Sequence, residues 1–337
     1  IRTRLQALPR HQRVGNNMKV KGYATYDRLK TCMVGRTYSK EQFKDIKNKK
    51  VKDTLFRILD ETEEDYQNLC KVLNIAGVEI LRPEIVDGDL SRRPANQPRD
   101  DMAVIGETLY VNNARPEYRS ILDQIDNKVI VEECPEKKLV STSFIHRLGS
   151  ELHWGTNQPT WRDSALVKKY EQQWTAEGFD VNIMEHEGHG DCTWCVPKEG
   201  CIVTLFDIQN YKDKFPGWDI CYLENKYWDQ MSPFRKIKNK NGGKWWVPGE
   251  EDSDDFSEYV ETYLKDWVGY VEETVFEVNM LSIDENTILV NNYNKQVFDF
   301  LEKHNIAPVI APFRHRWFWD GGVHCVTQDL YRERNYT

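Results

Sequence analysis

The stretch that decides the fold reads FEVNMLSIDENTILV, from Phe276 to Val290. Alternating residues over Phe276 to Ile283 predict a strand, Asp284-Glu285-Asn286 a tight turn, and the β-branched run Thr287 to Val290 a second strand. Beyond it, Val297, Phe298 and Leu301 mark the buried stripe of a helix over Lys295 to His304, and Pro308-Val309-Ile310 reads as a third strand. The unit is therefore strand, turn, strand, amphipathic helix, strand.

Working outward, the same order recurs. One copy runs Met102 to Ile105, Gly106-Glu107, Thr108 to Val111, a helix over Pro116 to Ile125, and Lys128 to Glu132; Pro116 suits a first helical turn. Another runs Ser143 to Arg147, Leu148-Gly149-Ser150, Glu151 to Trp154, a helix from Trp161 ending at Gly178, and Asp180 to Glu185. A third opens with Asp191 to Val196, turns at Pro197-Lys198-Glu199-Gly200 and continues Cys201 to Phe206, after which the pattern is obscured. The remaining copy is split: Arg28 to Gly35, a helix over Glu61 to Ala76 and Val78 to Leu81 come from the start, and Val323 to Leu330 closes it from the end. Five units with one shared between the chain ends predict an α/β ring, a five-bladed propeller in which no blade stands alone. Asp100, His189 and Cys325 each open a unit's first strand, so the ring predicts that they converge on one polar pocket.

Composition narrows the function classes. The 337 residues, 39% apolar with 11 Trp, 16 Tyr and 13 Phe, suffice for a packed core and argue against disorder. Net charge is −8 with interspersed Lys and Arg, which disfavours a nucleic-acid partner. No apolar run approaches the roughly 20 residues of a membrane span, and no signal-peptide core is present. Eight cysteines in a chain of this length read as thiols of a reducing, cytoplasmic compartment, not as a disulfide framework. Residues 1–17 carry Arg2, Arg4, Arg10 and Arg13 without an acid and are expected to be a non-native or disordered extension, with a mitochondrial transit peptide as the alternative. One domain is expected over 18–337, with an acidic, Trp-rich surface insertion around 228–255.

Three segments carry candidate chemistry. Cys325, in Gly321-Gly322-Val323-His324-Cys325, sits behind a glycine pair that permits close approach of a substrate. A free cysteine is most often a core residue; the glycine pair, His324 and a partner segment single this one out as a nucleophile. That partner segment is Gly188-His189-Gly190-Asp191, whose imidazole and carboxylate point the same way on an extended chain. His324 is expected to face away from the thiol, because adjacent strand residues alternate faces. Asp100, ahead of the strand at Met102, suits a grip on a cationic substrate. A zinc reading of His186, His189, Cys192 and Cys195 competes on spacing, but intervals of three scatter ligands along a strand, so no metal and no cofactor are expected.

Pro98-Arg99-Asp100, then His189-x-Asp191, then Gly321-Gly322-x-His324-Cys325, in that order, resemble the amidinotransferases of the guanidino-group-modifying (pentein) superfamily, glycine amidinotransferase in particular. Tyr26-Asp27-x-Leu29 with Met33-Val34-Gly35, and Asn279-Met280-Leu281-x-Ile283-Asp284, add to the likeness, which spans roughly Tyr23 to Arg332. The resemblance implies a five-bladed α/β propeller, Cys325 as nucleophile, His189 as general acid/base, and Asp100 and Asp191 as guanidinium-binding carboxylates. The implied reaction moves the amidino group of arginine to an amine such as glycine through an amidino-cysteine. The expected partners are these small-molecule substrates, with no nucleic acid and no membrane; a homodimer is left open. A guanidino-group hydrolase and a silent guanidino-binding protein are the alternatives.

The chain also departs from that family. Leu139 to Phe144 lacks an acid the family has ahead of the third unit's first strand, Asp207-Ile208 lies where it has an arginine for the substrate carboxylate, and Glu272-Glu273 replaces a small hydroxyl pair. Asp320, Glu272 and Glu273 are candidates to replace the acid, and Arg314 and Arg316 are candidates to receive a carboxylate.

Overall fold

Five small sheets of three strands each, with helices packed against them, make up the protein, seen in a computed structural model that describes residues 18–131, 139–156, 159–184, 189–223, 245–268 and 276–334. Four sheets are consecutive: β3 (Met102–Ile105), β4 (Thr108–Val111) and β5 (Lys128–Val131); β6 (Ile145–Leu148), β7 (Glu151–Gly155) and β8 (Asp180–Met184); β9 (Trp194–Lys198), β10 (Cys201–Thr204) and β11 (Asp219–Tyr222); β12 (Leu281–Asp284), β13 (Thr287–Val290) and β14 (Ala307–Ile310). In each, the first two strands form an antiparallel hairpin, and the third returns parallel to the middle strand after a crossover. The fifth sheet joins the chain ends: β15 (Thr327–Glu333) pairs antiparallel with β1 (Arg28–Val34), and β1 pairs parallel with β2 (Glu79–Leu81). The shared unit expected from sequence is present, with the last strand beginning at Thr327 and not at Val323.

Boundaries moved where polar residues masked periodicity. The first helix runs Lys49–Ile75, starting well before the expected Glu61, because Val51, Leu55, Ile58 and Leu59 continue the buried stripe of Tyr66, Leu69 and Leu73. Asn48 fixes its start by accepting from Lys50 and Val51 backbone N–H at 3.0 and 3.3 Å. The obscured remainder of the fourth unit is a four-residue helix, Tyr211–Lys214, followed by β11.

Of the stretch 228–255, expected at the surface, residues 245–255 are described: Pro248, Gly249, Asp252, Asp254 and Asp255 are exposed, whereas Trp245, Val247 and Ser253 are buried. Trp245 and Val247 are buried in the same core as the helix Lys49–Ile75. Trp245 meets Phe256 and Phe318 edge-on at 5.7 and 6.0 Å, and Trp267 stacks on Trp319 at 5.3 Å. The acids face outward: Asp254 and Asp255 occupy the first turn of helix Asp254–Tyr263, where negative charge suits the helix dipole. This aromatic block lies directly behind Phe318 and Trp319, the residues that lead into the Gly321-Gly322 loop. Residues 1–17 and 224–244 lie outside the described residues. No described helix is long and apolar enough to cross a membrane.

Candidate active site

Cys325 sits in a tight turn ahead of β15. Val326 N–H donates to the Gly322 carbonyl at 3.1 Å and Thr327 N–H to the His324 carbonyl at 3.2 Å, so Val323 to Val326 is coiled where sequence alternation suggested a strand. Two asparagines that flank the β12–β13 hairpin impose this shape. Asn291 Oδ1 accepts from Val323 N–H at 2.8 Å, and Asn279 Oδ1 accepts from His324 N–H at 3.0 Å. The glycine pair makes room for them. A Cβ on Gly322 would lie 2.6 Å from Asn279 Oδ1, and one on Gly321 would lie 2.1 Å from Gln97 Nε2 and 3.1 Å from the Cys325 Cβ. The close approach the glycines permit is thus by the protein's own amides.

The turn also overturns the expectation for His324. Its Nδ1 lies 2.8 Å from Asp191 Oδ2, the same oxygen that accepts from the Cys325 thiol at 3.5 Å. Asn279 Nδ2 donates to the sulfur at 3.0 Å and spans to Asp191 Oδ2 at 3.4 Å. Asp191 occupies the short 3₁₀ turn Gly190–Cys192, held by donation of its own N–H to the Ser143 carbonyl at 3.1 Å. That turn, not an extended chain, separates it from His189.

His189 is held on the other side of this turn. Its ring meets Phe144 edge-on at 4.8 Å, and its Nδ1 is 3.6 Å from Asp100 Oδ1. Asp100 lies in the helical turn Pro98–Asp101 that precedes β3. Where the resembling family has a further acid, the hydroxyls of Ser141 and Ser143 lie buried 2.6 Å apart, and Ser143 hydrogen-bonds Asp100.

Burial and charge set the protonation states. The hydrogen bond with Cys192 draws the Cys325 thiol down, but burial and the negative charges of Asp191 and Asp100 outweigh it and leave the thiol raised. Burial, aided by the charge of Arg99, lowers His324 to about 4 against the pull of Asp191, so this imidazole is neutral at pH 7 and donates its Nδ1 proton. Burial works to raise Asp191, and the His324 hydrogen bond with the charges of His189 and Arg99 more than reverses it. Asp100 is raised, burial outweighing His189 and Arg93. The pocket thus holds one ionised acid, one acid with raised pKa and a thiol that burial keeps protonated.

The remaining candidates scatter. Asp320 adopts a left-handed conformation (φ 54°) at the loop entrance, and its negative charge raises Cys192. Arg314 is turned to the helix Lys49–Ile75, its Nε and Nη2 on Asp65 and Glu64 at 2.9 and 2.8 Å. Arg316 is packed 3.8 Å over the Trp317 ring and donates to the Phe313 carbonyl at 3.1 Å. Neither guanidinium is turned toward the thiol, and among the described residues Arg316 meets the thiol loop only through its carbonyl, which accepts from Gly321 N–H at 3.0 Å. Glu272 and Glu273 lie outside the described residues, as does His186. Among the described residues, His189, Cys192 and Cys195 of the zinc reading do not come together as one donor group; Cys195 belongs to the core shared with Val203 and Met280. Among the described residues, the donors close enough to hold one cation are Asp191, Cys192 and Cys325, within 4.8 Å of one another. Sequence reasoning missed Asn279, although Asn279-Met280-Leu281 was part of the family likeness, and missed the partnership of His324 with Asp191.

No protein-family model matches the chain, and no curated protein matches its sequence. Solved structures do match its fold over nearly the whole length. Inosamine-phosphate amidinotransferase from Streptomyces griseus is 16% identical, covering 94% of this chain and 97% of that one, with a TM-score of 0.64. An amidinotransferase of the saxitoxin biosynthetic pathway from Microseira wollei is 17% identical, covering 94% and 98%, with a TM-score of 0.63. A dimethylarginine dimethylaminohydrolase is 11% identical over 89% and 98%, with a TM-score of 0.56. The chain therefore has the fold of the guanidino-group-modifying pentein enzymes.

Proposed function

We propose that the protein is an amidinotransferase that takes the amidino group of arginine or a related guanidino compound onto Cys325 and passes it to an amine. The observation that carries this reading is one cluster in which the Cys325 sulfur, Asp191 and Asn279 lie within hydrogen-bond reach of each other, with the His189–Asp100 pair close enough for their charges to act on it. The five sheets are read as a closed propeller around that cluster.

Guanidinium is a poor electrophile because its charge is delocalised. Asp100 and Asp191 bind its N–H groups through charge-assisted hydrogen bonds, and its positive charge opposes the two negative charges that hold the thiol protonated. The thiol proton passes to His189, and the thiolate forms a bond to the central carbon. As the bond from that carbon to the ornithine nitrogen breaks, His189 returns the proton to the departing amine, leaving an amidino-thioether. An acceptor amine then loses a proton to His189, attacks the same carbon and releases the thiolate. Neutral His324 holds Asp191 in place throughout, and Asn279 donates to the sulfur.

The likeness to a dimethylarginine dimethylaminohydrolase supports a second reading, in which water resolves the same intermediate. The missing acid at Ser141 to Ser143 motivates a third, a binding protein without turnover. Product analysis separates them. Ornithine formed from arginine only when glycine or another amine is supplied is the expected result. Urea or citrulline formed from arginine alone establishes the hydrolase, and bound but unchanged arginine establishes the binder.

A further inference from the structure

Cys192 has no part in the chemistry above, yet its sulfur lies beside the nucleophile. Cys192 Sγ, Cys325 Sγ and a carboxylate oxygen of Asp191 are within 4.8 Å of one another. A single nitrogen, Asn279 Nδ2, reaches both sulfurs, Cys325 at 3.0 Å and Cys192 at 3.9 Å. The other described cysteines belong to packed cores: Cys32 and Cys70 to the one that includes the helix Lys49–Ile75, and Cys195, Cys201 and Cys221 to the one that includes Val203 and Met280. Both sulfurs of the pair are carried by turns. Cys192 ends the 3₁₀ turn Gly190–Cys192, and Cys325 lies in the coiled segment ahead of β15. A disulfide brings its sulfurs to about 2 Å, and turns yield to such an approach more readily than paired strands do.

The two thiols are not equivalent. Cys192 is half-buried and Cys325 buried, so a small reagent reaches the pair from the Cys192 side. Between them the Cys192 thiol donates and Cys325 accepts, which raises Cys192 further and draws Cys325 down, so Cys325 is the readier of the two to ionise. A nucleophilic sulfur next to a second, more accessible thiol is the arrangement in which oxidation ends in a disulfide and does not run on to sulfinic acid. We propose that Cys192 and Cys325 form a reversible redox pair, with Cys192 capturing the oxidised nucleophile as a disulfide that blocks the active site until a dithiol reduces it. The oxidant is a peroxide. The Cys325 thiolate attacks one peroxide oxygen, the O–O bond breaks, and the other oxygen leaves with the thiol proton as water, giving a sulfenic acid. The Cys192 sulfur then attacks the Cys325 sulfur, and the Cys192 proton joins the departing hydroxide as a second water. Two thiols are oxidised by two electrons and the peroxide is reduced to two waters. The dithiol returns both thiols by exchange and becomes a disulfide itself. This is a regulation of the proposed site and rests on that reading for its effect on turnover, whereas formation of the bond needs no substrate.

The test exposes the reduced full chain to hydrogen peroxide, with a metal chelator and without arginine, and reads non-reducing peptide maps, intact mass and arginine turnover before and after dithiothreitol. The expected map contains a peptide linked through Cys192 and Cys325, the intact mass falls by a pair of hydrogens, and turnover falls in proportion to the linked fraction. Dithiothreitol reverses all three. In Cys192→Ala and Cys192→Ser that bond is impossible, so Cys325 gains oxygen, proceeds to sulfinic acid, and dithiothreitol no longer restores turnover. A parent chain in which Cys325 gains oxygen or links to another cysteine, without the bond to Cys192, overturns the pair, and this map does not depend on the folding of any variant. Equal recovery of parent and variants with dithiothreitol overturns it as well. The two readings fail separately: turnover by the reduced parent without the linked peptide removes the redox pair and leaves the amidinotransferase, while the linked peptide without turnover by the reduced parent removes the amidinotransferase and the regulatory effect with it.

Discussion

Two carboxylates, Asp329 buried in β15 and Asp100 half-buried beside the thiol, show how the same group serves structure in one place and chemistry in another. Asp329 is surrounded by donors. Arg99 Nη1 meets Oδ1 at 3.0 Å, and Arg332 Nε meets Oδ2 at 2.6 Å beside Arg147 Nη2. The three guanidiniums also reach the carbonyls of His324, Val104, Asp27 and Ser282, tying four units together. Burial acts to raise Asp329, yet those three charges hold it well below the ordinary carboxylate range. Asp100 has His189 at 3.6 Å, the Ser143 hydroxyl and the nearby charge of Arg93, and burial still leaves it raised. A saturated acid contributes to the fold; an under-paired one retains capacity for a cation that arrives later. Arg99 links the two, pairing with Asp329 through one nitrogen and fixing the turn that carries Cys325 through another.

The largest effect should come from breaking the saturated side. Asp329→Asn leaves three buried guanidiniums without their shared anion, and removing one partner of such a network costs about 3–5 kcal/mol. Chemical denaturation should show a midpoint lowered accordingly, with arginine turnover lost as a consequence of unfolding. Asp100→Asn should do the reverse: unchanged or raised stability, because an unfavourably buried charge is removed, and arginine binding weakened by about 1.5–3 kcal/mol, roughly 10- to 150-fold. Equal stability losses in the two variants would erase the distinction between them.

Acid sharpens the contrast further. Asp329 has a folded pKa below its ordinary 3.8, so its stabilisation is present above that value and is lost only as pH falls below it. Asp100 has a folded pKa above 3.8, so the anion that binds guanidinium disappears at a higher pH, while its protonation favours the folded chain. Arginine affinity measured from neutral pH downward should therefore fall before the Asp329 network is lost, and Asp100→Asn should flatten that fall.

The repeated three-stranded units were legible because their strands alternate and their hairpins are short: Thr287–Val290 and Thr108–Val111 coincide with their expected spans. The order of Asp100, His189 and Cys325 along those units pointed to a common pocket for the same reason. What alternation concealed was set by contacts distant in sequence. Val323 to Val326 reads as a strand, yet the amides of Asn279 and Asn291 coil it and bring His324 to Asp191. The acidic stretch before Tyr263 reads as surface, yet Trp245 and Phe256 anchor it behind the thiol loop. Arg314 and Arg316 read as free cations in sequence, and only folding shows one engaged by the acids of the first helix and the other laid over Trp317.

The central claim is that Cys325 becomes covalently amidinated, and intact-mass analysis of the full chain after brief exposure to arginine followed by acid quench tests it most directly. The account predicts an added amidino group that maps to Cys325, persists in Cys192→Ala and is absent in Cys325→Ala. Turnover of arginine by the Cys325→Ala chain, or an adduct mapping to Cys192 instead, would contradict it.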